Sequence, residues 1–121
     1  MGNFDCLDFE NVQNVAVVKF KDPKVMDPER IEKMGQELLA LLEDESNEDM
    51  IVNFENVSFM SSAMIGKLIH FSTRCKEEQL KLRLCNINEN VMTVFTLMNL
   101  QKVFKIDTDE SDAVAAFKKN G

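Results

Sequence analysis

The sequence has no tryptophan or tyrosine, and only four glycines and two prolines among its 121 residues. So few glycines leave little material for a loop that wraps a phosphate group, and the chain has no Walker motif and no GxGxxG pattern. Its nine aromatic residues are all phenylalanines, and they fall at the spacing of core positions. The composition therefore disfavours a nucleotide-cradling enzyme and a protein that stacks aromatic rings on bases or sugars.

Catalytic and metal-binding motifs are also missing. The chain has no HExxH or GxSxG pattern, and its single histidine, His70, has no serine or cysteine next to it. A triad assembled from distant residues is still compatible with the sequence. Cys6, Cys75 and Cys85 are odd in number and widely spaced with no CxxC pair, which predicts buried reduced thiols and no disulfide framework or zinc site. We therefore predict no enzyme, no metal and no cofactor.

The charge of the chain is strongly acidic. Its 14 basic and 21 acidic residues give a net charge of -7, which disfavours binding to nucleic acid or to anionic membranes. The apolar runs are far shorter than the roughly 20 residues that span a bilayer, and the first residues lack the basic and apolar segments of a signal peptide. With 45% hydrophobic residues, the sequence predicts a single cytoplasmic domain over residues 1–121.

Hydrophobic spacing predicts a hairpin followed by alternating helices and strands. The runs "CLDFE" and "VAVVKF", joined across "NVQN", are typical of two hairpin strands. A helix should follow, with Asp27 as its N-cap, Pro28 as its first residue and one apolar face. That face contains Ile31, Met34, Leu38, Leu41 and Leu42. The acidic segment "EDESNED" is predicted to be a solvated loop.

The second half continues this alternation. A strand at "MIVNF" should precede a helix that ends near Lys76 and places His70 on its solvent face. The apolar stripe of that helix contains Met64, Leu68, Phe71 and Cys75. A strand at "LKLRLCNI", a helix capped by Asn88, a short strand at "KVFKID" and a last helix complete the order. This predicts an α/β fold, with a mixed sheet of four to five strands and about four helices mainly on one face.

Two adjacent serines lie where the strand meets the second helix, in "FMSSAMIGKL". Serine is a favoured N-cap because its hydroxyl accepts a hydrogen bond from an otherwise unpaired amide of the first turn. A phosphoryl group at the same place would meet free amides and the positive end of the helix dipole. The residues thus allow a capping role and a switching role, which do not exclude each other.

Most of the chain resembles the STAS domain of bacterial anti-sigma factor antagonists, a family shared with the cytoplasmic domains of sulphate transporters. The similarity is most specific in "IVNFENVSFM", in "LRLCNINENVMTVFTLMNLQKVF" and in "IDTDESDAVAAF". The family pattern after the strand is Asp-Ser-Ser/Thr-Gly-Leu-Gly, and Ser62 matches its first serine, which a partner anti-sigma kinase phosphorylates in that family. Ser61 replaces the aspartate, Ala63 the second hydroxyl residue and Met64 the first glycine.

The resemblance implies a protein-interaction module in a partner-switching pathway. It would bind an anti-sigma factor kinase while Ser62 is unmodified, and a PP2C-type phosphatase would reset it. The residues implied in partner binding are Ser61, Ser62, Met64 and Lys67, and Ser62 is the implied phosphorylation site. Two alternatives stay open at this point: a STAS scaffold that is never phosphorylated, and a STAS module that senses a small ligand, a lipid or a nucleotide.

Overall fold

A computed structural model describes residues 4–44 and 49–120, with side chains as far as residue 118. Its strands are β1 (Leu7–Val12), β2 (Val15–Phe20), β3 (Lys24–Val25), β4 (Asp49–Asn53), β5 (Phe59–Met60), β6 (Lys81–Cys85) and β7 (Lys105–Asp107). Its helices are α1 (Pro28–Leu41), α2 (Ser62–Glu77), α3 (Glu89–Leu97) and α4 (Glu110–Asn120), with a 3-10 turn at Leu100–Lys102. Most of the predicted acidic loop, residues 45–48, lies outside the described residues.

Five of these strands form one mixed sheet in the order β1-β2-β4-β6-β7. The β1 and β2 pair is antiparallel, and each later pair is parallel, as expected when a helix connects successive strands. The short strands β3 and β5 pair in parallel as a separate two-stranded sheet. The predicted α/β class and the mixed sheet are confirmed.

The hairpin turn is shorter than the sequence suggested. Val12 pairs directly with Val15, so β1 runs through Asn11 and Val12 and leaves only Gln13 and Asn14 in the turn. Both turn residues have positive φ, 52° and 70°, which is the geometry of a two-residue hairpin turn that follows the twist of its strands. The predicted connection "NVQN" is therefore half strand.

The helices divide unequally between the two faces of the sheet. The main core joins α1, α2 and α3 to one face, through buried side chains such as Leu38 of α1, Leu68 of α2 and Phe95 of α3. Only α4, among the described helices, packs on the other face, where Phe117 belongs to a smaller core with Ile51 of β4. The prediction of helices mainly on one face is confirmed.

A row of phenylalanine rings runs through the main core. Phe20 and Phe54 have ring centroids 5.3 Å apart, Phe54 and Phe95 6.1 Å, and Phe95 and Phe104 5.8 Å. The angle of 88° between Phe54 and Phe95 is the edge-to-face arrangement that aromatic pairs favour. These rings pack together in the core, and the contact between Phe54 and Phe95 joins the end of β4 to α3.

The three cysteines are free and buried, which confirms the prediction of buried unpaired thiols. Burial raises the pKa of the Cys75 thiol to about 12. Burial, reinforced by nearby carboxylates, also raises the pKa of the Cys85 thiol to about 12. Because the thiolate is the reactive form, these cysteines are inert packing residues near neutral pH.

Candidate functional site

The two serines have different positions at the start of α2. Ser61 is the N-cap: its backbone is extended (φ -74°, ψ 158°), and its hydroxyl oxygen accepts a hydrogen bond from the amide of Met64 at 3.5 Å. Its carbonyl accepts from the amide of Ile65 at 3.2 Å. Ser62 is the first residue of the helix and is exposed to solvent, whereas Ser61 is half-buried. Of the two roles that the sequence allows for the serines, capping therefore belongs to Ser61.

The structure corrects the expectation for Met64. Its side chain is completely buried and belongs to the main core, together with Leu68 and Phe71 of the same helix. Met64 lies on the apolar stripe of α2, and the stripe packs against the sheet. It can therefore support the site from beneath but cannot offer an apolar contact to a partner in this conformation.

Lys67 joins the two large helices. Its ammonium group lies 2.9 Å from a carboxylate oxygen of Glu32 on α1. The lysine stem passes so close to Gly35 that a Cβ at Gly35 would lie 3.0 Å from Cδ of Lys67. With about a third of its side chain exposed, Lys67 has a structural role at the rim of the site, and its part in partner binding stays a prediction.

The exposed surface at the start of α2 consists of small residues. Ser62, Ala63 and Gly66 are exposed, and a Cβ built on Gly66 would meet no other atom within 4 Å. Nothing in the first turn is acidic, so the unpaired amides there have no local counter-charge. A partner backbone can approach this part of the helix closely, and a negative charge added there would have no like charge beside it in the first turn.

The segment that leads into the serines is fixed by the small sheet. Val25 of β3 pairs with Met60 of β5, and the amide of Ser61 donates to the carbonyl of Val25 at 2.9 Å. Further back, the amide of Ser58 donates to the carbonyl of Pro23 at 2.7 Å. Sequence reasoning missed this pairing because two-residue strands are too short to show an alternating pattern. The helix start is therefore held on its upstream side by backbone hydrogen bonds.

Asn88 fixes the same segment from a second direction. Its side-chain oxygen caps α3 by accepting from the amide of Val91 at 2.9 Å, as the sequence predicted. Its side-chain nitrogen donates to the carbonyls of Val57 at 3.0 Å and Ser58 at 3.2 Å. One side chain thus connects the start of α3 to the segment before the serines.

Replacing Asn88 should separate these two roles. Asn88→Ala is expected to cost about 1–3 kcal/mol, because it removes the cap and leaves the Val57 and Ser58 carbonyls without this donor. Asn88→Asp keeps an oxygen for the Val91 amide but loses the donor, so it should retain the cap and lose the connection. Urea unfolding measures the stability, and hydrogen exchange at residues 57–61 measures the connection. Equal exchange in Asn88→Asp and the unmodified protein would contradict the connecting role.

Two exposed apolar side chains flank the serines. Met26 directly follows the Val25 carbonyl that binds Ser61, and Phe59 lies two residues before Ser61. They are 53% and 44% exposed, although most large apolar side chains of the described residues are buried. They give the polar helix start an apolar flank, although other exposed apolar side chains, such as Leu97 of α3 at 79%, lie elsewhere on the surface.

Comparison with known proteins covers most of the chain. The family model described as "STAS domain" matches residues 7–113. A STAS domain protein from Planctomyces limnophilus, solved as an anti-sigma-factor antagonist, is 19% identical with a TM-score of 0.80, covering 91% of this chain and 96% of that one. The anti-sigma factor antagonist SpoIIAA in its unphosphorylated form is 20% identical with a TM-score of 0.75, covering 93% and 96%.

A third solved structure is the Bacillus cell fate determinant SpoIIAA in its phosphorylated form. It is 19% identical with a TM-score of 0.68, and the match covers 92% of this chain and 98% of that one. Likeness at these identities establishes the shared fold. Within residues 4–44 and 49–120, none of the helices combines the length and the apolar content that a membrane span requires.

Proposed function

The chain belongs to the STAS domain family, and on that premise we propose that it is an anti-sigma factor antagonist whose switch is Ser62. It binds an anti-sigma kinase through the start of α2 while Ser62 is unmodified, and it loses that partner when Ser62 is phosphorylated. A PP2C-type phosphatase returns it to the binding state. In this proposal the protein is cytoplasmic and has no catalytic activity of its own.

The observation that carries the proposal is the exposure of Ser62 at the first position of α2. A kinase needs a hydroxyl that it can reach, and Ser61 is half-buried with its oxygen engaged by the Met64 amide. Of the two serines, Ser62 is therefore the better substrate. SpoIIAA, which shares the fold, is known in an unphosphorylated and in a phosphorylated form, and this precedent supports the same chemistry here.

The physical effect of the modification follows from its surroundings. A phosphoserine has a charge of about -1.5 to -2 at neutral pH. The first-turn amides of α2 and the positive end of its dipole would stabilise that charge, so the fold would tolerate it. A partner that had packed closely on the neutral residues Ser62, Ala63 and Gly66 would have to bury the charge without a counter-ion. Phosphorylation thus opposes binding more than it opposes folding.

The surroundings of Ser62 also favour a protein partner. Met26 and Phe59 supply apolar area beside the helix start, and Gly66 lets a partner backbone come close. The segment that carries the serines is held by β3 and by Asn88 before any partner arrives. A preformed surface binds with a smaller loss of conformational entropy than a flexible one.

The test is phosphorylation by an anti-sigma kinase that binds the unmodified chain. After incubation with that kinase and ATP, mass spectrometry should find one phosphate, on Ser62, and Ser62→Ala should take up none. Ser61→Ala is the matched control, because it removes the adjacent hydroxyl and should still be phosphorylated on Ser62. A bound kinase that leaves Ser62 unmodified would show a constitutive docking module and refute the switch.

A further inference from the structure

A second concave site lies at the other end of α2, away from the serines. It is a cavity of about 430 Å³ beside the first residues of β6 and β7. Its charged lining consists of Lys76, Lys81, Arg83 and Lys105, and its apolar lining of Leu80, Leu82 and Phe117. No part of the function proposed above uses these residues.

The charge of this lining is opposite to that of the chain. Among the described residues that line the cavity, four are cationic and none is acidic, on a protein with a net charge of -7. Arg83 is neutralised, because its guanidinium binds both oxygens of Asp107 at 2.6 and 3.1 Å. Lys76, Lys81 and Lys105 have no ion pair within residues 4–44 and 49–118, although other lysines such as Lys19 and Lys67 do. Within the described residues, three lysines at the opening therefore have no ion-pair partner within 4 Å, although Asp49 of β4 lies opposite Lys81 in the sheet.

The remainder of the lining is apolar and well ordered by packing. Leu80 and Phe117 are more than nine-tenths buried, and Leu82 is half-buried against the main core. The Arg83 guanidinium lies 5.8 Å from the centre of the Phe117 ring, a cation–π distance, so the arginine is fixed from two sides. The cavity thus has a cationic rim and an apolar base, to which Leu80 and Leu82 contribute from the side of the main core and Phe117 from the side of α4.

We propose that this cavity binds a small amphiphilic anion, with its carboxylate or phosphate group on the lysine rim and its apolar body against the apolar base. The volume lies within the range of about 300–1,000 Å³ that is usual for small-molecule sites. An anionic head alone would leave the apolar base unused, and an apolar molecule alone would leave the lysines unpaired. Only a ligand that has both an anionic group and an apolar body can contact both parts of the lining favourably.

The proposed ligand site is independent of the serine switch. Lys76 and Ser62 belong to the same continuous helix, and its rise of 1.5 Å per residue separates them by about 20 Å. A ligand at the cavity and a protein at the helix start would therefore not compete for the same surface. Failure of either proposal leaves the other standing.

The test uses 8-anilinonaphthalene-1-sulfonate, an aromatic anion that fluoresces in apolar surroundings, with the full chain. We expect saturable binding at one site, weakened at least fivefold in Lys81→Gln and in Lys105→Gln, and weakened by added salt because exposed charges are screened. Lys24→Gln is the matched control, since it removes the same charge from an exposed lysine of β3. Thermal melts of the three variants should coincide with that of the unmodified protein.

Displacement of the probe identifies the class of ligand. Octanoate tests an aliphatic carboxylate, phenyl phosphate an aromatic phosphate, and inorganic phosphate an anion without an apolar body. Displacement by octanoate or phenyl phosphate at concentrations where inorganic phosphate is ineffective would support the proposal. Equal weakening by Lys24→Gln, or equal displacement by inorganic phosphate, would overturn it.

Discussion

Replacing Ser62 by aspartate is expected to weaken the complex with an anti-sigma kinase by more than tenfold, which is about 1.4 kcal/mol or more. The carboxylate would lie on an exposed helix start that has no other acid in its first turn, at the centre of the surface proposed for docking. The melting temperature should stay nearly unchanged, because an acid at a helix start is stabilised by about 0.3–1 kcal/mol. Surface plasmon resonance and a thermal melt measure the two effects.

Two variants separate the effect of a charge at Ser62 from the effect of side-chain shape and from the effect of a charge added elsewhere. Ser62→Asn has nearly the shape of the aspartate variant without its charge, so it should bind within a few-fold of the unmodified protein. Ser111→Asp adds the same charge to an exposed residue of α4, on the opposite face of the sheet, and should also bind normally. If Ser62→Asn weakens binding as much as Ser62→Asp, shape and not charge controls the contact.

Replacing Leu38 by alanine is expected to lower the free energy of unfolding by about 2–5 kcal/mol. Leu38 is completely buried in the main core, on the face of α1 that packs toward the sheet and α2. Truncation removes three buried carbons and leaves a cavity that the surrounding side chains fill only in part. Urea or guanidinium unfolding, fitted with a common slope, measures the loss.

His70→Ala is the matched control for the assignment of helix faces. His70 lies on the exposed side of α2, so its removal should change the free energy of unfolding by no more than about 0.5 kcal/mol. A greater loss for His70→Ala than for Leu38→Ala would reverse the assignment of buried and exposed helix faces.

Hydrophobic spacing predicted the helices because each helix spans several turns, so that its apolar residues recur often enough to be recognised. In α1 the apolar residues recur over about three turns, and Ile31, Met34 and Leu38 are all buried as expected. In α2 the same spacing identified Met64 as a core residue, and burial confirms that interpretation against the one that placed Met64 in the docking surface. Where repeated spacing and motif matching disagreed, repeated spacing was correct, because each apolar position must face the same core.

Features that depend on one or two residues could not be predicted in this way. The pairing of β3 with β5 involves two residues on each strand, and the connection from Asn88 to Val57 spans 31 positions with a single side chain. Likewise, the position of α4 on the opposite face depends on the path of the chain around β7, which local spacing does not encode. The cationic cavity was missed for the same reason, since its lysines come from α2, β6 and β7.

At the start of α2, the side chains that stabilise the fold and the side chains that can contact a partner belong to different residues. Ser61 and Met64 face the fold, whereas Ala63 and Gly66 face solvent, and a side chain added at Gly66 would meet no other atom of the domain within 4 Å. Mutations at the two outward positions are therefore nearly free of a folding cost. Duplicated copies of such a gene can then diverge in partner preference by single steps, each of which leaves a stable domain for selection to act on.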